Sequence, residues 1–370
     1  MGIKCGISLN KPMDGFYRPG NKISGYVKYS LTKEMQFISI RIALKGRSEC
    51  SWIENCRSKN RIQSRVEANE QIIDVDKNIL ANASGFLSPG VYTGNFNFQL
   101  PESIPPTFNY YDCSCRASIS YFLCVKFTFA SSFRLPSVLN YDIIIANRIK
   151  PTLPLEPITH GLQDELKRKF GFVSYSLNAD LKVTISKSFL APNENAELCV
   201  EVTNNTKYRV SKLKIALVKI LTLKDNCGRF KNIIKEIEES RVKTVKIKEY
   251  YKCLYRSIVL PIGLNTLQGS RIIARDYKIV VTLSIPGIKY KAHLDVPIQV
   301  GQILSTEERM PQTNQETEIP YDLNNNVLAS TTNLVYNNYY VTSQNVIPGS
   351  SAADEEDPPT YWDVMGEDKR

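Results

Sequence analysis

Apolar and polar residues alternate with a period of two along much of the chain. In the stretch FISIRIALK, Ile38, Ile40, Ile42 and Leu44 fall on one face, opposite Ser39, Arg41 and Lys45. In SISYFLCVKFTF, the set Ile119, Tyr121, Leu123, Val125, Phe127 and Phe129 does the same, and YKIVVTLSI groups Tyr277, Ile279, Val281, Leu283 and Ile285. Successive side chains of a strand point to opposite faces, so this pattern is what half-buried antiparallel strands require. Turn formers separate the runs, as at Ser88-Pro89-Gly90, Pro192-Asn193 and Pro286-Gly287. No long amphipathic helix competes. The best helical candidate is LQDELKRKF, Leu162 to Phe170, about two turns. The pattern predicts an all-β protein built of sandwiches.

A faint internal repeat predicts that the sandwich is duplicated. YRPGNKISGYVKYS (Tyr17 to Ser30) and FLAPNENAELCVEVTN (Phe189 to Asn204) share one plan, in which an aromatic leads through Pro19 or Pro192 into a turn and then an alternating strand. Pro19 fixes φ near −65° and Gly20 tolerates positive φ, which suits a type II turn. Each half later carries a Leu-Pro pair, Leu100-Pro101 and Leu260-Pro261. The expected organisation is a first sandwich over residues 1–150 and a linker over 151–178, which holds Pro151, Pro154, Pro157 and the short helix. A second sandwich over 179–301 and a tail over 302–370 complete it.

The tail differs in character. From Gln302 to Ala353 it is rich in Asn, Thr, Ser and Gln without a sustained period, so it buries too little apolar surface to offset ordering entropy and is expected to be disordered. Residues 302–370 carry three basic and twelve acidic residues, a net of −9, leaving +19 on residues 1–301. A basic body with an acidic tail attracts anionic partners without naming them. The densest basic stretch, RVKTVKIKEYYKCLYR, contains Lys243, Lys246, Lys248 and Lys252. These four are the candidate contact for anionic lipid or an acidic cargo segment. Lys246 and Lys248 alternate with Val245 and Ile247, as on the solvent face of one strand. No reader motif accompanies the charge, which argues against nucleic acid.

The sequence holds little enzyme chemistry. It lacks G-x-S-x-G, a phosphate-cradling Gly-rich loop, H-E-x-x-H and C-x-x-C. With two histidines, His160 and His293, and nine cysteines in no metal-like spacing, neither metal nor cofactor is expected. The cysteines read as reduced and structural, which suits a cytosolic chain. No run approaches the roughly 20 apolar residues that span a bilayer, and Met1 to Gly6 has no apolar leader.

Together these features resemble the arrestin fold, and within it the α-arrestins, the arrestin domain-containing family to which thioredoxin-interacting protein is related. The resemblance rests on Tyr17-Arg18-Pro19-Gly20 with Gly25-Tyr26-Val27, on SPGVYTGNFNFQLPESIPPTF (Ser88 to Phe108), on Pro192-Asn193-Glu194, and on Pro297-Ile298-Gln299-Val300-Gly301. LPIGLNTLQGS (Leu260 to Ser270) departs from it by lacking a proline-rich continuation. The resemblance implies two tandem arrestin-like sandwiches of immunoglobulin type and a non-enzymatic role.

The tail carries Pro358-Pro359-Thr360-Tyr361, a PPxY motif. Two prolines favour an extended polyproline II backbone. A WW domain clamps such rings between aromatics and takes the tyrosine in a separate pocket. Pro358, Pro359 and Tyr361 are therefore the candidate WW-domain-binding residues, with Val364 adding an apolar contact. The family resemblance implies that the motif recruits a WW-domain HECT-type ubiquitin ligase to the cytosolic regions of membrane-protein cargo, at the plasma membrane and endosomes. Only one such motif is present, so avidity from two linked motifs is unavailable. Two competing readings remain. One is a ligase-independent trafficking scaffold like the arrestin-fold subunit of retromer. The other is a signalling or metabolic regulator, which would need a reactive cysteine that no spacing singles out.

Overall fold

Alternation over the first half resolves into β1 (Ile3–Lys11), β2 (Lys22–Leu31), β3 (Met35–Asn55), β4 (Gln63–Asn78), β5 (Phe86–Leu87), β6 (Gly90–Gln99), β7 (Phe108–Asp112), β8 (Cys115–Phe129) and β9 (Ser137–Ile143). The second half gives β10 (Ile158–Phe170), β11 (Val173–Ile185), β12 (Phe189–Leu190), β13 (Asn195–Asn204), β14 (Val210–Lys224), β15 (Phe230–Glu236), β16 (Val245–Ile247), β17 (Tyr251–Val259), β18 (Ile273–Ser284) and β19 (Lys291–Val300), and β20 (Gln315–Asp322) follows. The computed structural model describes residues 2–55, 63–80, 85–131, 135–170, 173–204, 210–240, 245–247, 250–284, 291–302 and 315–322. Among them the only helical segment is a single 3₁₀ turn, Glu238–Ser240. Among the described residues no helix is long and apolar enough to cross a membrane.

Two sheets form the first sandwich, ordered β20-β1-β2-β6 and β4-β3-β8-β7, with β5 pairing β3 and β9 pairing β8. Their inner faces supply the core. Ile119, Tyr121, Leu123, Val125 and Phe127 of β8 are all buried, opposite Val27 and Tyr29 of β2 in one continuous cluster. Burying a large apolar side chain contributes roughly 1.5–3 kcal/mol, so this alternating set anchors the domain. The second sandwich pairs β10-β11-β13-β17 with β12-β19-β18-β14-β15, and β16 joins β14. Val183, Val200, Ile279, Val281 and Val296 are among its innermost residues.

The duplicated turn is present in both halves at atomic detail. Asn21 N–H donates to the Arg18 carbonyl at 2.9 Å, and Glu194 N–H donates to the Ala191 carbonyl at 3.1 Å. Each turn is reinforced the same way: Arg18 N–H donates to Asn21 Oδ1, and Ala191 N–H to Glu194 Oε2, both at 2.9 Å. Gly20 has φ 78° and Asn193 φ 70°, the left-handed conformation that the third residue of a type II turn needs. Asparagine is among the few side-chain-bearing residues that visit this region routinely, which is why it can stand where the first half has glycine.

Three expectations are corrected. Ile38 does not share a face with Ile40, Ile42 and Leu44; it is 66% exposed while those three are fully buried. A bulge between Phe37 and Ser39 shifts the β3–β8 register, so Phe37 takes the inward position and Ile38 turns out. The candidate helix at Leu162–Phe170 is instead part of β10, paired with β11 from Ile158↔Ile185 to Phe170↔Val173. Two turns of helix in the linker would leave most of their terminal backbone groups unpaired, whereas a strand at this place pairs with β11 along its whole length. The tail is not structureless throughout, because β20 lies antiparallel to β1, from Lys4↔Asp322 to Lys11↔Gln315. Its segment QETEIPYD has a weak apolar signal; what it gains is a ladder with β1, whose edge would otherwise be open. Pro320 stands in the sheet's outermost strand, where a missing N–H is tolerated.

The turn geometry makes a prediction. A Cβ on Gly20 would meet only Glu102 Cγ, at an ordinary 3.6 Å, so backbone conformation and not space sets the cost of substitution. Gly20→Ala should therefore destabilise by roughly 1–2 kcal/mol, and Gly20→Asn by clearly less, as urea denaturation of the two variants will show.

Candidate functional site

The residues singled out in the sequence do not gather into one site. Lys246 lies on β16, which pairs β14, and Lys252 lies on β17, opposite Val202 of β13 in the facing sheet. The strand ends at Ile247, so the basic stretch crosses between sheets and is not one strand's solvent face. Lys243 and Lys248 lie outside the described residues, as do Pro358, Pro359, Tyr361 and Val364. Among the described residues no cluster of His, Cys, Asp and Glu is placed to hold a metal ion.

What the structure does build is a seam between the sandwiches. Along β14, Leu213, Ile215 and Leu217 belong to the core of the second sandwich, while Leu221 and Leu223 belong to that of the first. β18 is divided likewise, with Ile273 in the first core and Tyr277, Ile279, Val281 and Leu283 in the second. Leu267 and Ile272 also enter the first core. These strands extend past their own sandwich and insert apolar ends into its neighbour.

Polar contacts close the same seam. Glu70 of β4, only 9% exposed, accepts from Ser270 Oγ at 2.8 Å and Arg271 N–H at 3.0 Å through Oε2, and from Arg271 Nε at 2.9 Å through Oε1. Ser270 Oγ lies 2.9 Å from Ser48 Oγ of β3, and Ile273 N–H donates to it at 3.2 Å. Burial alone would raise the Glu70 carboxyl, but the hydrogen bonds from Ser270 and Arg271 outweigh it and hold it below the usual carboxylate range. Beside this network the Cys50 thiol donates to the Lys224 carbonyl at 3.6 Å, and burial pushes it up to about 11. On the other side, Gln299 fixes the connection between the halves: its Oε1 accepts from Thr152 and Leu153 N–H at 2.8 and 2.9 Å.

This arrangement of two sandwiches with a shared seam agrees with the family comparison. Residues 5–147 match the family described as Arrestin (or S-antigen), N-terminal domain. Residues 177–305 match Arrestin (or S-antigen), C-terminal domain. The chain belongs to the arrestin family. Among similar proteins is Arrestin domain-containing protein 5 of Bos taurus, 22% identical over 320 residues that span 80% of this arrestin and 91% of that protein. The Homo sapiens protein of the same name is 23% identical over 230 residues, 59% of this arrestin and 62% of the relative.

Sequence reasoning missed the residues of this arrestin's seam, although a signal was there. In β14 the apolar phase runs Leu213, Ile215, Leu217, then Lys219, then Leu221 and Leu223; in β18 it runs Ile273, Arg275, Tyr277, Ile279. A cation standing in an apolar phase marks where one core gives way to the next. The cysteine pair had no such signal. Cys199 on β13 and Cys253 on β17 bring their sulfurs to 3.4 Å, from positions far apart in the chain. Burial first, and then the hydrogen bond with Cys253, pushes the Cys199 thiol up, which disfavours the thiolate that a reactive cysteine needs.

Glu70 yields a pH prediction. Its folded carboxyl is depressed, so its contribution is fully present above the unfolded value, about 4.3, and is lost as pH falls through the folded value. Glu70→Gln should cost roughly 1–3 kcal/mol near pH 7, and the gap to wild type should close progressively below about pH 4.3. Urea unfolding of both proteins from pH 7 down to pH 3 measures that convergence.

Proposed function

We propose that this arrestin is a non-enzymatic adaptor that joins membrane-protein cargo to a WW-domain HECT-type ubiquitin ligase, promoting ubiquitination, endocytosis and transport of the cargo. The observation that carries the reading is the pairing of two arrestin domains with a Pro358-Pro359-Thr360-Tyr361 motif beyond the second. Pro358 and Pro359 present their rings to the aromatic slot of a WW domain, and Tyr361 buries its ring with the hydroxyl near polar groups. Val364 adds an apolar contact. The sandwiches meet the cytosolic regions of cargo, with the adaptor drawn from the cytoplasm to plasma membrane and endosomes. The chemistry stays with the ligase; the adaptor's contribution is proximity, raising the ligase's effective concentration at acceptor lysines.

An adaptor of this design needs a rigid body and a separate ligand segment, and both parts have support. The body's two sandwiches share buried side chains across their seam, and the motif lies 53 residues past the second matched domain, which ends at 305. Capture of the full chain on isolated WW domains tests the reading. Tyr361→Ala should lower that capture by roughly tenfold or more, the loss expected for an emptied aromatic anchor pocket. Undiminished capture of the variant would exclude the motif from the adaptor's action.

A further inference from the structure

The outward face of β13 and β17 carries sulfur chemistry that the core beneath it does not need. β17 is the outermost strand of its sheet, in the order β10-β11-β13-β17. Its Leu254 and Ile258 belong to the second core, as do Leu198, Val200 and Val202 of β13. By the two-residue period, Tyr251, Cys253 and Tyr255 of β17 take the opposite face, with Cys199 and Glu201 of β13. Tyr251 and Tyr255 are both exposed, and the two cysteines between and beside them are partly so.

The register brings the cysteines together. Cys199 stands opposite Tyr255 and Cys253 opposite Glu201, so the two thiols are diagonal neighbours on that face. Their sulfurs lie 3.4 Å apart in a hydrogen bond, although 54 residues of chain separate them. Burial first, and then this bond, push the Cys199 thiol up. Cys199 therefore keeps its proton and donates it, which leaves Cys253 as the sulfur that attacks. A thiolate at Cys253 accepts the Cys199 S–H in a charge-assisted hydrogen bond. A disulfide has an S–S length of about 2.05 Å, so the sulfurs have about 1.4 Å to close. Diagonal neighbours have Cα atoms about 7–8 Å apart, slightly beyond the usual disulfide span of about 4.4–6.8 Å. β17 is outermost, so it can shift toward β13 without breaking another ladder of its sheet. The strain of that shift leaves a bridge easy to reduce.

We propose that Cys199 and Cys253 are an oxidation site, at which a hydroperoxide forms a disulfide between β13 and β17 and a thiol reductant removes it. The Cys253 sulfur takes the terminal oxygen of the hydroperoxide and the O–O bond breaks. Cys253 becomes a sulfenic acid, and the reduced fragment leaves as an alcohol, or as water from hydrogen peroxide. The Cys199 sulfur then attacks that of Cys253, the S–O bond breaks, and hydroxide leaves with the Cys199 proton as water. Two thiols are oxidised and one peroxide is reduced. The product closes the chain around β14, β15 and β16 and fastens the edge strand at Tyr251 and Tyr255. In a reducing compartment such a bridge is transient, the behaviour of a redox sensor.

The test treats the reduced, folded full chain with a modest excess of hydrogen peroxide, blocks free thiols with N-ethylmaleimide and maps peptides by mass under non-reducing conditions. Wild type should yield a linked pair of peptides holding Cys199 and Cys253, abolished by dithiothreitol, with the other seven of its nine cysteines alkylated. Cys199→Ser should instead stop at a sulfenic acid on Cys253, trapped by dimedone, and Cys253→Ser should leave Cys199 as a thiol. Cys227→Ser removes an exposed cysteine outside the pair and should keep the full yield of bridge. A wild type in which Cys199 and Cys253 are alkylated as fully as the rest, or whose bridge forms in urea but not in the folded protein, overturns the proposal.

Discussion

Two hydrophobic cores that exchange residues across a seam are the constraint on which the rest of this structure depends. Leu221, Leu223, Leu267, Ile272 and Ile273 come from the second half of the chain and are buried in the core of the first sandwich. At roughly 1.5–3 kcal/mol each for full burial, an upper estimate because unfolded chains already bury some surface, their sum rivals the 5–15 kcal/mol that stabilises a typical domain. Separating the sandwiches would strip all five side chains of that burial. The domains are tandem in sequence and continuous in packing.

Polar groups at the seam set its register. An apolar contact is tolerant of sliding, whereas Glu70 accepts three hydrogen bonds from two consecutive residues and holds the Ser270-Arg271 segment at one position. Ser48, buried in β3, adds a fourth tie through Ser270. Cations at the same seam work in the opposite sense: Lys219 of β14 stands directly opposite Lys235 of β15, with Arg275 of β18 on the diagonal, and like charges so placed repel. Attraction at one place and repulsion at another thus meet on strands that serve both cores.

Much of the fold was legible because its signals are local. The alternation of β8 and β18 depends on nothing but the two-residue period, and the turns at Pro19-Gly20 and Pro192-Asn193 depend on backbone sterics that four residues declare by themselves. The errors were failures of register and partnership. The bulge at Phe37–Ser39 leaves no mark in FISIRIALK, since either Phe37 or Ile38 could have faced inward. LQDELKRKF has helical spacing, but β11 decides its state, and a pairing partner cannot be read from the segment itself. β20 was passed over for the same reason, its pairing with β1 spanning more than three hundred residues of chain. At the seam, Lys219 and Arg275 were visible as cations out of phase, while their meeting with Lys235 required the strand order.

The pairing of β20 with β1 also fixes where the motif-bearing segment is moored. Without that strand, the leash to Pro358 would be the 57 residues from Gln302 onward, with a contour of up to about 205 Å. With Asp322 held beside Lys4, the leash is the 36 residues from Leu323 to Pro358, and it cannot exceed about 130 Å whatever path it takes. Its anchor belongs to the first sandwich, at the opposite end of the sequence from the domain that precedes it. Residue 358 is thus tied, by that length of chain, to the first sandwich.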